Sequence, residues 1–260
     1  MPNHFSPLSP SRAPSSVKIA GTRPDRPTPT GAPESSPSPD AGTRPDRPTP
    51  PHTPQSAPPT AAPEPTPSPA LFCLGQRAHA DPLYCHYHDT EWGRPVTEEN
   101  ALFERLCLEI FEVGLSWLTI LRRREVFREC FAGFDIPTVA RFGAATQERL
   151  AQDARMIRNR AKIQACVDAA GVVETLHERG QTLGALIWSH RPSHHARPGP
   201  DHPRAAQTPQ SEALAKELRA LGVRFVGPVN QHATMQAAGV INDHVVGCPV
   251  GDEIDLLARS

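Results

Sequence analysis

Of the 31 prolines in this 260-residue chain, 21 fall within residues 1–70, a stretch with almost no large apolar side chains. Such a segment cannot bury enough surface to offset the entropy of ordering it, so residues 1–70 are expected to be a disordered tail. The tail contains one direct repeat: Ala20–Pro29 recurs unchanged as Ala41–Pro50. Nothing in the repeat could form a core, so it is no solenoid; extended, polyproline-like states suit a linker or a recruitment tail. Whatever packs must come from the other 190 residues, ample for a hydrophobic core. The predicted division is a tail over 1–70, a folded domain over 71–250 and a frayed C-terminal tail over 251–260.

Residues 71–260 carry 21 Lys+Arg against 23 Asp+Glu, so no global basic excess advertises nucleic acid and any DNA affinity must be local. Six cysteines (73, 85, 107, 130, 166 and 248) form no dense small-domain framework and follow no signal peptide. A reducing, cytoplasmic setting with buried or metal-bound thiols fits them better than disulfides. No apolar run approaches the roughly 18–20 residues of a membrane span.

Helical periodicity and caps recur through the folded part and strand alternation does not, which predicts an all-α domain of eight or nine helices. The most informative stretch is Leu108–Trp117. Leu102, Leu106 and Val113 form an apolar stripe on a helix that Thr97 should cap, and Glu109 falls within that stripe. A carboxylate there is either buried with a partner or faces a pocket, because an unpaired buried charge is costly. Gly114 suits the left-handed position that ends a helix, and Ser116 can cap the next, expected over Trp117–Cys130. Arg122, Arg123 and Arg124 should form its solvated face. Glu109 beside Trp117 makes a reasonable nucleobase pocket; a core tryptophan with a surface glutamate in a slipped register is the bland alternative.

Three further features bear on chemistry. Tyr84, Tyr87, Trp92, His86 and His88 crowd a few residues of a chain that is only 5% aromatic. Caps at Thr138 and Thr146 introduce two short helices. The second is followed by a link over 154–161 and a long helix ended by Gly180, the outline of a helix–hairpin–helix. In that motif backbone N–H groups meet a DNA phosphate, with Arg155, Arg158, Arg160 and Lys162 as a basic rim. The hairpin lacks the glycine that normally permits close approach. Finally, His244 and Cys248 are spaced to meet at one point, and two remote partners from Cys73, Cys85, His86 and His88 would complete a tetrahedral zinc site.

Tyr84-x-x-Tyr87-His88-Asp89-x-Glu91-Trp92-Gly93, Leu108-Glu109, Gly114-Leu-Ser-Trp117 and Asn242-Asp-His-Val-Val-Gly-Cys248 together resemble the bacterial DNA-3-methyladenine glycosylase I family. The resemblance is collinear, runs from about Cys73 to Cys248 and leaves the Pro-rich tail unexplained. It implies an all-α helix–hairpin–helix glycosylase fold in which one structural zinc ion, held by Cys73, His88, His244 and Cys248, joins the two ends of the domain. The implied activity is monofunctional hydrolysis of the N-glycosidic bond of 3-methyladenine in alkylated double-stranded DNA by a monomer, leaving an abasic site.

Within that resemblance, Glu109 is the catalytic carboxylate and Tyr87, Trp117, Tyr84 and Trp92 bind the base. Gly114-Leu115 enters the base stack as a wedge, and Arg158, Arg160 and Lys162 hold the backbone. A cationic purine suits aromatic faces and a buried acid, and the base must be flipped out to be reached. The superfamily's usual catalytic aspartate has no counterpart: Val229 follows Gly227-Pro228. Other departures are Glu112, one helical turn from Glu109, and Asn230–Thr234, where the family is more aromatic and hydroxylic. These leave an alternative, a non-catalytic zinc-stabilised binder of alkylated DNA recruited through the tail.

Overall fold

A computed structural model of the chain describes residues 69, 70, 73, 81–199, 201 and 204–257. Residues 1–68, and with them the expectation of disorder there, lie outside the described part. Between Pro82 and Leu257 the backbone forms eleven α-helices and one short 3-10 helix, with no strand among the described residues. The helices are α1 (Pro82–Thr90), α2 (Glu99–Glu112), α3 (Trp117–Leu121), α4 (Arg124–Cys130), α5 (Ile136–Ala140), α6 (Ala144–Gln152), α7 (Arg160–Glu178), α8 (Leu183–Ser189), α9 (Pro209–Ala220), α10 (Pro228–Ala237) and α11 (Pro249–Leu257), and the 3-10 helix is Ala132–Phe134.

The organising element is α2. Leu102, Phe103, Leu106, Cys107, Leu108, Ile110 and Phe111 are all buried, so apolar side chains surround most of its circumference. A helix of that kind is stable only when enclosed, and α3, α7, α8 and α10 pack around it. Phe127 and Phe131 pack against its Phe111, tilted and edge-on, with Phe111 and Phe127 ring centroids 4.6 Å apart. Val113, expected in the apolar stripe, is instead exposed: α2 ends at Glu112, and the chain turns out of the core.

Several local expectations are corrected. The cap of α2 is Glu98, whose carboxylate accepts from the amides of Asn100 and Ala101, rather than Thr97. Asp135, not Thr138, caps α5, and Gly143, not Thr146, precedes α6. The helix expected over 117–130 breaks at Arg122–Arg123. Arg124 then points inward instead of joining a solvated face, donating to Glu104 and Glu91, each at 2.6 Å. The expected frayed C-terminal tail begins as a helix, α11. Val250 and Ile254, at i and i+4, are buried with Val245 and Cys248, and Arg197 pairs with Asp252 and Asp255. Too short to show a long periodicity, that stripe reads from sequence as an end rather than an element.

Candidate functional site

A cavity of about 230 Å³ opens where α1, α2, α3 and α10 converge, walled by Tyr84, Tyr87, Trp92, Glu109, Glu112, Trp117, Arg204 and Gln236 among others. Its geometry follows from local rules. Asp81 caps α1 through the amides of Leu83 and Tyr84, and accepts a 2.6 Å hydrogen bond from Arg122 at the end of α3, which holds α1 against α3. Gly114 adopts φ +80°, the left-handed region a Cβ disfavours. Ser116 then caps α3 by accepting from Thr119 N at 3.3 Å. Together they bring Trp117 beside Tyr87, with ring centroids 5.2 Å apart.

Glu109 is 3% exposed, and its Oε2 has no hydrogen-bond partner among the described residues. Burial first, and then the nearby Glu112 carboxylate, push the Glu109 carboxyl well above the usual glutamate range. Burial also raises the Tyr84 and Tyr87 phenols. The indole Nε1 of Trp117 is likewise buried without a partner. Buried orphans of this kind cost free energy in the fold, and their convergence on one cavity marks a place where a ligand supplies the missing bonds. An aromatic slot with an acid at its base can hold a flat cationic heterocycle.

Gly114 and Leu115 form the turn beside this cavity, and Leu115 is 44% exposed. Arg158 is exposed with no ion-pair partner among the described residues, while Arg160 pairs with Glu148 at 2.6 Å and Arg155 with Asp153 and Glu129. Lys162 departs from its expected place on a basic rim. It is 5% exposed, and its Nζ donates to the carbonyls of Phe111 and Val113 at the end of α2. Asn159 caps α7, and the first turn that follows carries Lys162 towards the core.

Cys73, His88, His244 and Cys248 gather in a second, adjoining place, with their ligand atoms within 4.8 Å of one another and all four residues buried. His244 Nδ1 lies 3.6 Å from the Cys73 sulfur and 3.5 Å from that of Cys248, and His88 Nε2 lies 3.9 Å from Cys248 Sγ. Tetrahedral zinc, with Zn–S of about 2.3 Å and Zn–N of about 2.05 Å, places sulfur and nitrogen roughly 3.6 Å apart. The outer nitrogens are already committed. His88 Nδ1 meets Asp89 at 2.7 Å and His244 Nε2 donates to the Trp92 carbonyl at 3.0 Å, which leaves the inner lone pairs for a metal. Gly93 makes room, since a Cβ there would stand 2.8 Å from His244 Nε2. This buried Cys2His2 set can bind a metal. It shares His88 with the cavity wall, and Trp92, whose ring packs against both histidines, lines that wall too.

Three wall residues carry little signal in the sequence. Arg204 sits in a loop rich in His, Pro and Arg, yet its guanidinium lies 5.3 Å from the Trp92 ring and donates to the carbonyls of Asp243 and Cys73. Gln236 and Ala233 come from α10, within a segment that reads only as a helix. Gln236 Nε2 donates to Asp243 at 2.6 Å. Asp243, buried beside His232 and paired with the half-buried His195, does not line the cavity.

The family model for methyladenine glycosylase matches residues 77–251. The chain belongs to this family. It is 44% identical over 172 residues to DNA-3-methyladenine glycosylase 1 of Escherichia coli, covering 65% of this chain and 91% of that protein. It is 37% identical over 171 residues to DNA-3-methyladenine glycosylase of Haemophilus influenzae, covering 64% and 91%. The fold is similar to that of 3-methyladenine DNA glycosylase I from Staphylococcus aureus, solved to explain 3-methyladenine recognition. That match has a TM-score of 0.64 at 31% identity, over 71% of this chain and 97% of the other.

Proposed function

We propose that this methyladenine glycosylase hydrolyses the N-glycosidic bond of 3-methyladenine in alkylated DNA, the first step of base-excision repair. The observation that carries this reading is the buried carboxyl of Glu109, its Oε2 without a partner, in a cavity walled by Tyr87 and Trp117. The methylated base is a cation in the nucleotide and neutral once released, so it is already a good leaving group. Water adds to C1′ as the C1′–N bond breaks, the electron pair stays with the base, and water's proton goes to solvent. The products are the free base and an abasic sugar.

The protein's contribution is to take the flipped base out of water, pack it against an aromatic wall and place it against an acid. Tyr87 and Trp117 supply the faces, with Tyr84 and Trp92 beside them. Glu109 accepts from the exocyclic amine and favours a cationic base. Leu115, at the tip of the Gly114 turn, fills the gap in the stack. Arg158 and Arg160 face the DNA backbone; Lys162 does not. With no aspartate in the cavity wall, no residue here is assigned to activating the water. A bound zinc ion would be held by Cys73, His88, His244 and Cys248. It would supply structure rather than a nucleophile, since four protein ligands leave no open position. The protein acts as a cytoplasmic monomer on double-stranded DNA.

The deciding experiment is release of free 3-methyladenine from methylated duplex by the purified protein. Wild type should release the base and Glu109→Gln should be slower by roughly 100-fold, the scale of a lost transition-state hydrogen bond to charge. Tight binding of methylated duplex with no base released would leave only the non-catalytic binder.

A further inference from the structure

Arg204 stands in the cavity wall, and a pocket for a cationic base gives no evident reason for a fixed positive charge there. Its guanidinium is held on three sides. Nε donates to the Asp243 carbonyl at 2.9 Å, Nη1 donates to the Cys73 carbonyl at 2.8 Å, and Cζ lies 5.3 Å from the centroid of the Trp92 ring. Nη2 is buried and has no hydrogen-bond partner among the described residues. A buried charged N–H without an acceptor costs more than a neutral one, and the two carbonyl bonds prevent the group from turning to satisfy it. The cavity wall thus carries an unmatched acceptor, Glu109 Oε2, and an unmatched charged donor, Arg204 Nη2.

A methylated adenine complements both. Its exocyclic amine, the donor that Glu109 takes, is flanked by two ring nitrogens with lone pairs, N1 and N7. N3 carries the methyl group and N9 the sugar, so N1 and N7 are the acceptors that remain. We propose that Arg204 is a further substrate-contacting residue, its Nη2 donating to a ring nitrogen beside the amine of the flipped base. This rests on the glycosylase reading above. The bond acts in the direction of the reaction. In the nucleotide the base is a cation and its ring nitrogens accept poorly. As the C1′–N9 bond breaks, the electron pair stays with the base, the base becomes neutral, and N1 and N7 accept more strongly. The repulsion between Arg204 and the cationic base eases over the same step. A positive donor held still at that edge therefore stabilises the transition state more than the ground state, and it raises the rate rather than the affinity for DNA.

Calorimetric titration of the full-length protein with free 3-methyladenine and with its 1-deaza and 7-deaza analogues reads the contact directly, since each analogue replaces one ring nitrogen by C–H. Wild type should bind at least one analogue roughly tenfold more weakly than 3-methyladenine, the scale of one charge-assisted hydrogen bond, and that analogue identifies the nitrogen. Arg204→Met should bind 3-methyladenine roughly tenfold more weakly than wild type does and should no longer separate it from that analogue. In single-turnover release from methylated duplex the same variant should be slower by roughly tenfold, with duplex affinity within about threefold of wild type. Because Arg204 also holds the carbonyls of Cys73 and Asp243, metal content and circular dichroism melts are measured alongside. If Arg204→Met loses metal or does not fold, Arg204→Lys, whose ammonium keeps a carbonyl bond without filling the place of Nη2, stands in with the same expectation. Two analogues that bind wild type as tightly as 3-methyladenine, or a variant that still separates them, overturn the contact. An unchanged single-turnover rate overturns its share in catalysis. A wild-type protein that releases no 3-methyladenine overturns the glycosylase reading itself, an outcome distinct from an active enzyme that binds all three bases alike.

Discussion

Glu109 carries a stability cost that follows from its burial. Its carboxyl is held above the ordinary glutamate range by burial and by Glu112. A group raised in the folded state contributes stability that is intact below its unfolded value and is lost as pH rises through the folded one. Wild type should therefore lose stability between about pH 4.5 and the raised value. Glu109→Gln removes that dependence, and should be more stable than wild type by about 1 kcal/mol at pH 7.5, with little gain near pH 4.5. Thermal melts at the two pH values check this; a variant less stable at pH 7.5 would mean that the carboxylate is compensated elsewhere in the fold. The same residue shows what sequence can reveal. Its place in an apolar stripe followed by a left-handed glycine exposed it, whereas Arg204 and Gln236 carry no periodic or motif signal, because a loop residue reaches a pocket only through tertiary packing.

Among elements, α2 and α7 are joined at Lys162. The last carbonyls of a helix are unsatisfied and bear its negative pole, so an ammonium donating to Phe111 O and Val113 O stabilises the end of α2 and fixes the Gly114 turn. Lys162→Met should destabilise the protein by about 1–3 kcal/mol, since it removes a charged donor from buried carbonyls. It should leave the salt dependence of DNA binding almost unchanged. Arg158→Ala should do the reverse, with an unchanged melt and a salt slope shallower by about 0.9 for each DNA phosphate that the arginine neutralises. Melts and binding titrations from about 50 to 200 mM salt separate the two; a shallower slope in Lys162→Met would return that residue to the DNA surface. The sequence placed Lys162 in the first turn of the long helix but could not say which way it faced. The same limit explains the Arg124 correction: one residue of register decides whether a basic run meets water or a buried acid.

At the scale of the whole molecule, the Cys2His2 set connects parts of the chain far apart in sequence, Cys73 and His88 with His244 and Cys248. Motif spacing supplied only His244 and Cys248, and family resemblance supplied the pairing with the N-terminal end, since no local rule relates ligands so distant. If the bound metal is zinc, elemental analysis should find one per chain. Cys248→Ala should lose it and melt at lower temperature, because binding free energy at such a site is folding free energy. A metal-free wild type as stable as the loaded protein would remove the site's structural role.

The Pro-rich stretch poses the last question at this scale, and the placement of everything else bears on it. The cavity is lined by residues between Tyr84 and Ala237, the metal ligands lie between Cys73 and Cys248, and the family match spans 77–251. Among the described residues, every pocket, metal and family-match position lies beyond residue 68. Deleting residues 1–68 should leave the melting temperature, the zinc content and the rate of 3-methyladenine release on short duplexes within about twofold of the full chain, since the described pocket residues, metal ligands and core side chains are all kept. A tail that recruits the enzyme to a partner would show itself only where that partner is present. A fall of about tenfold in release from a naked oligonucleotide would instead make the tail part of the DNA-binding machinery.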